Sequence, residues 1–201
     1  FDDLRTCDRR RRFREQIVLQ RAAAQGLTGV LSSAVYFYNH QVEAATRVLV
    51  DPVKRYLLAD EVGLGKTIEA GLIWKELQAR LDAKNLIVIC PLSLKEKWQT
   101  ELLEKFNIDA SIVSAGELLE VIGSKQKLNR GGAYICARDS IRPDRGWEEE
   151  DYDSRRIKQR DLALKLQDLS DAEPVFDLVV MDEAHHLRNP LTQSHKMAEL
   201  I

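Results

Sequence analysis

The sequence predicts an α/β fold, a parallel sheet flanked by helices with an N-terminal helical extension. Three observations carry this. Apolar runs of strand length, Leu86-Ile87-Val88-Ile89, Ala133-Tyr134-Ile135-Cys136 and Leu178-Val179-Val180-Met181, alternate with stretches of helical period. A Gly65-Lys66-Thr67 turn stands between the apolar pair Leu57-Leu58, read as a strand end, and a helical run. Two acids, Asp182-Glu183, close the last apolar run, and open α/β sheets hold ligands at the carboxyl ends of their strands.

Taken in order, residues 1–34 form a basic helical extension centred on Arg9-Arg10-Arg11-Arg12-Phe13-Arg14 and ended by Gly26 and Gly29. Such a run is ordinarily a solvated helix face with Phe13 and Ile17 packed inward; the alternative is a basic arm for nucleic acid or a protein partner. Residues 35–201 form the main domain. A helix runs over about 39–50 after Tyr36-Phe37-Tyr38. Another runs over about 66–81 with Ile68, Leu72, Ile73, Leu77 and Leu81 on one apolar face. A buried strand at 85–91 leads to a helix capped by Ser93, in which Leu94, Trp98, Leu102 and Phe106 recur every fourth residue. Trp98 reads as core. A short strand at 111–113, a helix at 116–122, a basic turn at 125–132 and a strand at 133–136 follow. Residues 143–174 depart from the alternation. They read as a charged insertion, by default a solvated excursion and otherwise a partner surface, with a helix capped by Ser154 and carrying Ile157, Leu162, Leu166 and Leu169. Thr192 caps a last helix after Pro190.

A chain of 201 residues with 44% hydrophobic content suits one domain with an appendage. Its net charge of −2 conceals local patches. No run approaches a membrane span and no signal peptide is visible, so a membrane partner is not expected. The three cysteines, Cys7, Cys90 and Cys136, are odd in number and far apart. Buried thiols in a reducing, cytoplasmic setting are the expectation. The chain starts at Phe1 and stops within a helical pattern, which reads as a piece of a larger protein.

The chemistry concentrates in two stretches. In Asp60-Glu61-Val62-Gly63-Leu64-Gly65-Lys66-Thr67 the first helical turn leaves backbone N–H groups unpaired, and Gly63 and Gly65 let the backbone curl around phosphate oxygens. Lys66 would reach the β- and γ-phosphates, and the Thr67 hydroxyl would hold magnesium. A strict G-x-x-x-x-G-K-[ST] loop requires glycine where Asp60 stands. The second stretch is Asp182-Glu183-Ala184-His185: Asp182 would hold the magnesium from the far side, and Glu183 would activate the attacking water. Upstream, the Gln41 side chain can match the N6 and N7 edge of adenine while an aromatic ring covers the base. The plainer reading is an aromatic helix start. His40 reads as a local polar contact, and His186 and His195 have no ligand-spaced partners for a metal.

Asp-Glu-x-Gly-x-Gly-Lys-Thr resembles the phosphate loop of the Swi/Snf-type ATPases of helicase superfamily two, which accounts for Asp60. The continuation through Glu69-Ala70-Gly71 is most similar to the bacterial HepA/RapA-like group. Asp182 to His185 is the DEAH box, continued by Leu187-Arg188-Asn189. The resemblance implies a RecA-like lobe, ATP and Mg2+ as cofactors, and Lys66, Asp182 and Glu183 as catalytic residues. It further implies Gln41 as the adenine-reading Q motif, and His185 as a nucleotide-site residue linked to motif III. Pro91-Leu92-Ser93-Leu94 resembles motif Ia and Ala137-Arg138-Asp139-Ser140 motif Ib, both contacts to a nucleic-acid backbone. The expected function is ATP hydrolysis coupled to movement on duplex DNA, or remodelling of protein–DNA complexes, together with a C-terminal RecA-like lobe. These residues alone would then be a weak hydrolase. The rivals are a nucleotide-sensing docking module for a partner such as RNA polymerase, and a DEAH-type RNA helicase, against which the Asp60-Glu61 pattern argues.

Overall fold

The computed structural model describes residues 27, 33–35, 37–51, 55–58, 65–149, 156–169, 174–187 and 192–201. The chain forms two compact units, residues 1–82 with 105–107 and residues 83–104 with 108–201. The arginine-rich run, the Ser154 cap and the loop from Asp60 to Leu64 lie outside the described residues.

In the first unit, helix α1 (Asn39–Val50) packs on helix α2 (Lys66–Leu81). Both match their expected spans, but α2 buries more than one stripe. Leu72 and Ile73 are buried as expected and Leu81 is exposed, while Glu69, Ala70, Gly71, Trp74 and Glu76 are also buried. Gly71 is part of the reason. A Cβ there would lie 2.3 Å from the Phe106 ring, so the missing side chain lets the ring settle on the helix backbone. Glu76 is buried with its carboxylate 2.8 Å from Arg80 Nε, one turn on. The strand expected to end at Leu57-Leu58 is not formed: residues 55–58 pair with no described strand, and Leu57 is 75% exposed. A strand persists only where a neighbour completes its ladder, and two apolar residues bury too little to substitute for one.

The second unit holds a four-stranded sheet in the order β2-β3-β1-β4, with β1 at Asn85–Cys90, β2 at Ala110–Ile112, β3 at Gly132–Ala137 and β4 at Leu178–Met181. All pairings are parallel, with Val88 opposite Ile135 on one side and Val180 on the other. Parallel neighbours demand crossovers. These are α3 (Lys95–Phe106, its last residues grouped with the first unit), then α4 (Ala115–Ile122) with α5 (Lys125–Arg130), then α6 (Arg138–Ile141) with α7 (Ile157–Leu169). Helix α8 (Gln193–Leu200) closes the described chain, capped by Thr192, whose hydroxyl accepts from His195 N. β1 is buried throughout, whereas β4 is only half-buried, unlike the buried strand expected there.

Three local expectations are corrected. Ser93 caps no helix: Pro91 opens a 3-10 turn, Leu92–Leu94, that contains Ser93, and α3 starts at Lys95. The basic turn is the short helix α5, because the Ser124 hydroxyl accepts from Lys127 N and Gly131, at φ +77°, ends it. The 143–174 stretch is not a solvated excursion. Trp147, Leu162, Ala163 and Leu166 are buried in one core with Ile87, Ile89, Leu118 and Met197. The charges sit beside this stripe and hold the chain around it. Arg160 Nε donates to Trp147 O at 3.0 Å, and Arg156 Nη1 donates to the carbonyls of Asp139 and Arg142.

Candidate functional site

In the first unit the structure brings Gln41 to the end of the phosphate-loop motif. Gly65 precedes α2 with φ +90°, and a Cβ there would stand 2.6 Å from Gln41 Nε2. The left-handed backbone favours glycine, and a Cβ would displace the Gln41 amide. Gln41 is 1% exposed, and its Oε1 accepts from Tyr38 N at 3.1 Å, so its amide is held at the start of α1. Tyr38 is exposed and stacks on His40 with ring centroids 5.7 Å apart. Lys66 and Thr67 occupy the first turn of α2, which no side chain caps. A helix start of this kind suits an anion. Asp60, Glu61, Val62, Gly63 and Leu64 lie outside the described residues.

In the second unit Asp182, Glu183 and His185 gather at the carboxyl end of β4. Asp182 N donates to Ile89 O at 2.8 Å, prolonging the β1–β4 ladder by one bond. Both carboxylate oxygens are engaged: Oδ1 accepts from Glu183 N at 2.9 Å and Oδ2 from Trp98 Nε1 at 2.9 Å. Glu183 is exposed and adopts φ +55°, a conformation that costs a residue with a Cβ about 1–2 kcal/mol. Its Oε2 lies 3.0 Å from His185 Nδ1. Strain of this kind concentrates at working sites.

A cavity beside the acids is lined by Arg138, Ile141, Met181, Asp182, Glu183 and Met197, among others. Arg138 Nε and Nη1 are buried without a hydrogen-bond partner among the described residues, while Nη2 lies 3.5 Å from Asp139. Ser140 turns inward, its hydroxyl donating to Ala137 O at 2.7 Å. Of the motif Ia turn, Leu92 and Ser93 are exposed. His195 reaches Leu187 O through Nδ1 at 2.7 Å and Glu199 through Nε2 at 3.3 Å. Cys90 and Cys136 are buried free thiols, as expected. Burial, with Asp182 adding, pushes Cys90 up to about 11, and burial pushes Cys136 up to about 12, so both stay protonated and unreactive near neutrality.

Sequence reasoning placed Trp98 in the core and missed its bond to Asp182. The available signal was that Trp98 alone on the Leu94, Trp98, Leu102, Phe106 stripe carries an N–H, a group that usually finds an acceptor when buried.

A parallel RecA-like sheet, a glycine-led helix start and an acidic box at a strand end together define an ATPase lobe of the helicase-like class. The model of the SNF2-related domain matches residues 38–201, and the chain belongs to that family. It is 36% identical over 163 residues to the RNA polymerase-associated protein RapA of Yersinia pseudotuberculosis and of Yersinia enterocolitica, alignments that cover 81% of the chain. The chain spans only 14% of the length of those relatives. In fold it resembles the Sulfolobus solfataricus SWI2/SNF2 ATPase core, solved in complex with dsDNA, with a TM-score of 0.55 and 17% identity. That likeness covers 85% of this chain and 31% of the other.

Proposed function

We propose that this chain is the ATP-binding lobe of a DNA-dependent translocase, in which ATP hydrolysis drives movement on duplex DNA or the remodelling of protein–DNA complexes. The observation that carries this reading is the Asp182 carboxylate, held through both oxygens at the carboxyl end of β4 beside a strained Glu183. The donor set fits a hard cation, since the Thr67 hydroxyl and the Asp182 carboxylate are both oxygen ligands. The left-handed Gly65 before a helix start that no side chain caps fits a phosphate. The loop from Asp60 to Leu64 would wrap the phosphates through its backbone N–H groups, and Lys66 would neutralise their charge. Gln41 would read the adenine edge. Thr67 and Asp182 would hold Mg2+, which supplies charge neutralisation on the transferring phosphoryl group. Glu183 would take a proton from the attacking water, with His185 orienting its carboxylate.

The turns at 91–94 and 137–140 would lie along a nucleic-acid backbone, and a second RecA-like lobe would complete the catalytic set. That the RapA relatives are RNA polymerase-associated proteins supports an RNA polymerase partner, and the dsDNA in complex with the Sulfolobus solfataricus core supports duplex DNA. Among the described residues no helix is long and apolar enough to cross a membrane. The buried free thiols Cys90 and Cys136 support a reducing, cytoplasmic setting.

Calorimetric titration with a non-hydrolysable ATP analogue tests the assignment. Lys66→Ala should abolish binding, and Gln41→Ala should weaken ATP more than GTP. Unchanged affinity in Lys66→Ala would sink the phosphate-loop reading, and equal losses for the two nucleotides would return Gln41 to a purely structural role.

A further inference from the structure

We infer that Trp98 is a positioning residue for the carboxylate of Asp182, and that its indole N–H sets how that carboxylate presents itself to magnesium. This rests on the proposed role of Asp182 as a magnesium ligand.

The chain has three tryptophans, all described and all buried. The indole nitrogens of Trp74 and Trp147 have no hydrogen-bond partner among the described residues, so those rings serve packing. Trp98 differs. It is 6% exposed, and its Nε1 donates to Asp182 Oδ2 at 2.9 Å across 84 positions of sequence.

The bond matters because of what holds the other oxygen. Oδ1 accepts from Glu183 N, a contact internal to the acidic turn that follows wherever that turn goes. Alone, it leaves the carboxylate free to swivel about its Cβ–Cγ bond. The indole N–H comes from α3, a separate element, and fixes the second oxygen in space. With both oxygens anchored, the plane of the carboxylate and the direction of its remaining lone pairs are defined before any cation arrives. Outer-shell donors of this kind are worth about 10–100-fold in metal affinity when removed.

The test is a Mg2+ titration of the ADP-saturated chain, read by calorimetry and by the nitrogen-15-resolved indole signals. In the unaltered chain the Trp98 indole signal should move as Mg2+ is added while that of Trp147 stays. In Trp98→Phe the Mg2+ concentration needed should rise about tenfold, with the affinity for metal-free ADP unchanged. A purely structural tryptophan would lower metal-free and metal-loaded affinity together, or neither, and either result overturns the inference. So does a Trp98 signal that ignores Mg2+ in the unaltered chain, a measurement that decides the matter even if Trp98→Phe does not fold. Absence of any Mg2+-dependent nucleotide binding in the unaltered chain would instead show that the reading of Asp182 has failed, and the inference with it. Normal Mg2+ dependence that Trp98→Phe leaves untouched removes the inference alone.

Discussion

Gly65 and Glu183 both take positive φ, +90° and +55°, and they do so for opposite reasons. Gly65 has no Cβ, so the conformation is cheap and the bare backbone admits the Gln41 amide. At Glu183 the same region costs about 1–2 kcal/mol, in a turn whose carboxylate meets His185. The glycine was legible in the sequence, because a Gly before Lys-Thr is the residue that such a turn requires. The glutamate's backbone was not, since nothing in Asp-Glu-Ala-His demands a left-handed second residue. Gly65→Ala should therefore lose left-handed freedom and push on the Gln41 amide. The expected outcome is a stability loss of about 1–2 kcal/mol by urea denaturation, with nucleotide affinity reduced at least tenfold. Wild-type values for both quantities would show that neither the backbone nor the Gln41 contact matters.

Among elements, α7 shows how a charged stretch misleads. Its mean composition is polar, yet Leu162, Ala163 and Leu166 fall on one side and are buried with Trp147. Arg156 and Arg160 bind backbone carbonyls, so their charges stay at the edge of the core. Leu162→Ala should cost about 2–5 kcal/mol, whereas Ile157→Ala, at a residue 58% exposed, should fall within about 0.5 kcal/mol of wild type. Denaturant midpoints of the two variants give the comparison, and equal midpoints would restore the solvated reading. A helix start was readable where a side chain does the capping, as Thr192 does for α8. Ser93 misled because Pro91 imposes a tight turn before the helix can begin.

At the scale of the whole molecule, the proposed reading gives Lys66, Thr67, Asp182 and Glu183 the phosphate, magnesium and water-positioning roles and looks to a second lobe for an arginine. Such an arginine is worth about a thousandfold or more in rate. The chain alone should turn over ATP near background, bind duplex DNA weakly and without sequence preference, and release it at moderate salt. DNA should stimulate it little, whereas the full-length protein should respond strongly and lose turnover in Glu183→Gln. Phosphate release measured against DNA concentration for both proteins is the check. Vigorous DNA-stimulated turnover by these residues alone would mean that the catalytic set is already complete.

What the sequence by itself determined is what neighbours along the chain enforce. The apolar runs of β1, β3 and β4, the glycine before Lys66, the acids after Met181 and the Thr192 cap all rest on residues a few positions apart. Tertiary structure decided the rest. It placed Trp98 on Asp182 across 84 positions and seated the Gln41 amide against Gly65. It drew α7 into the core and left residues 55–58 without a ladder. Each of these depends on which distant group arrives to accept a proton, fill a space or complete a strand, and no local pattern encodes that arrival.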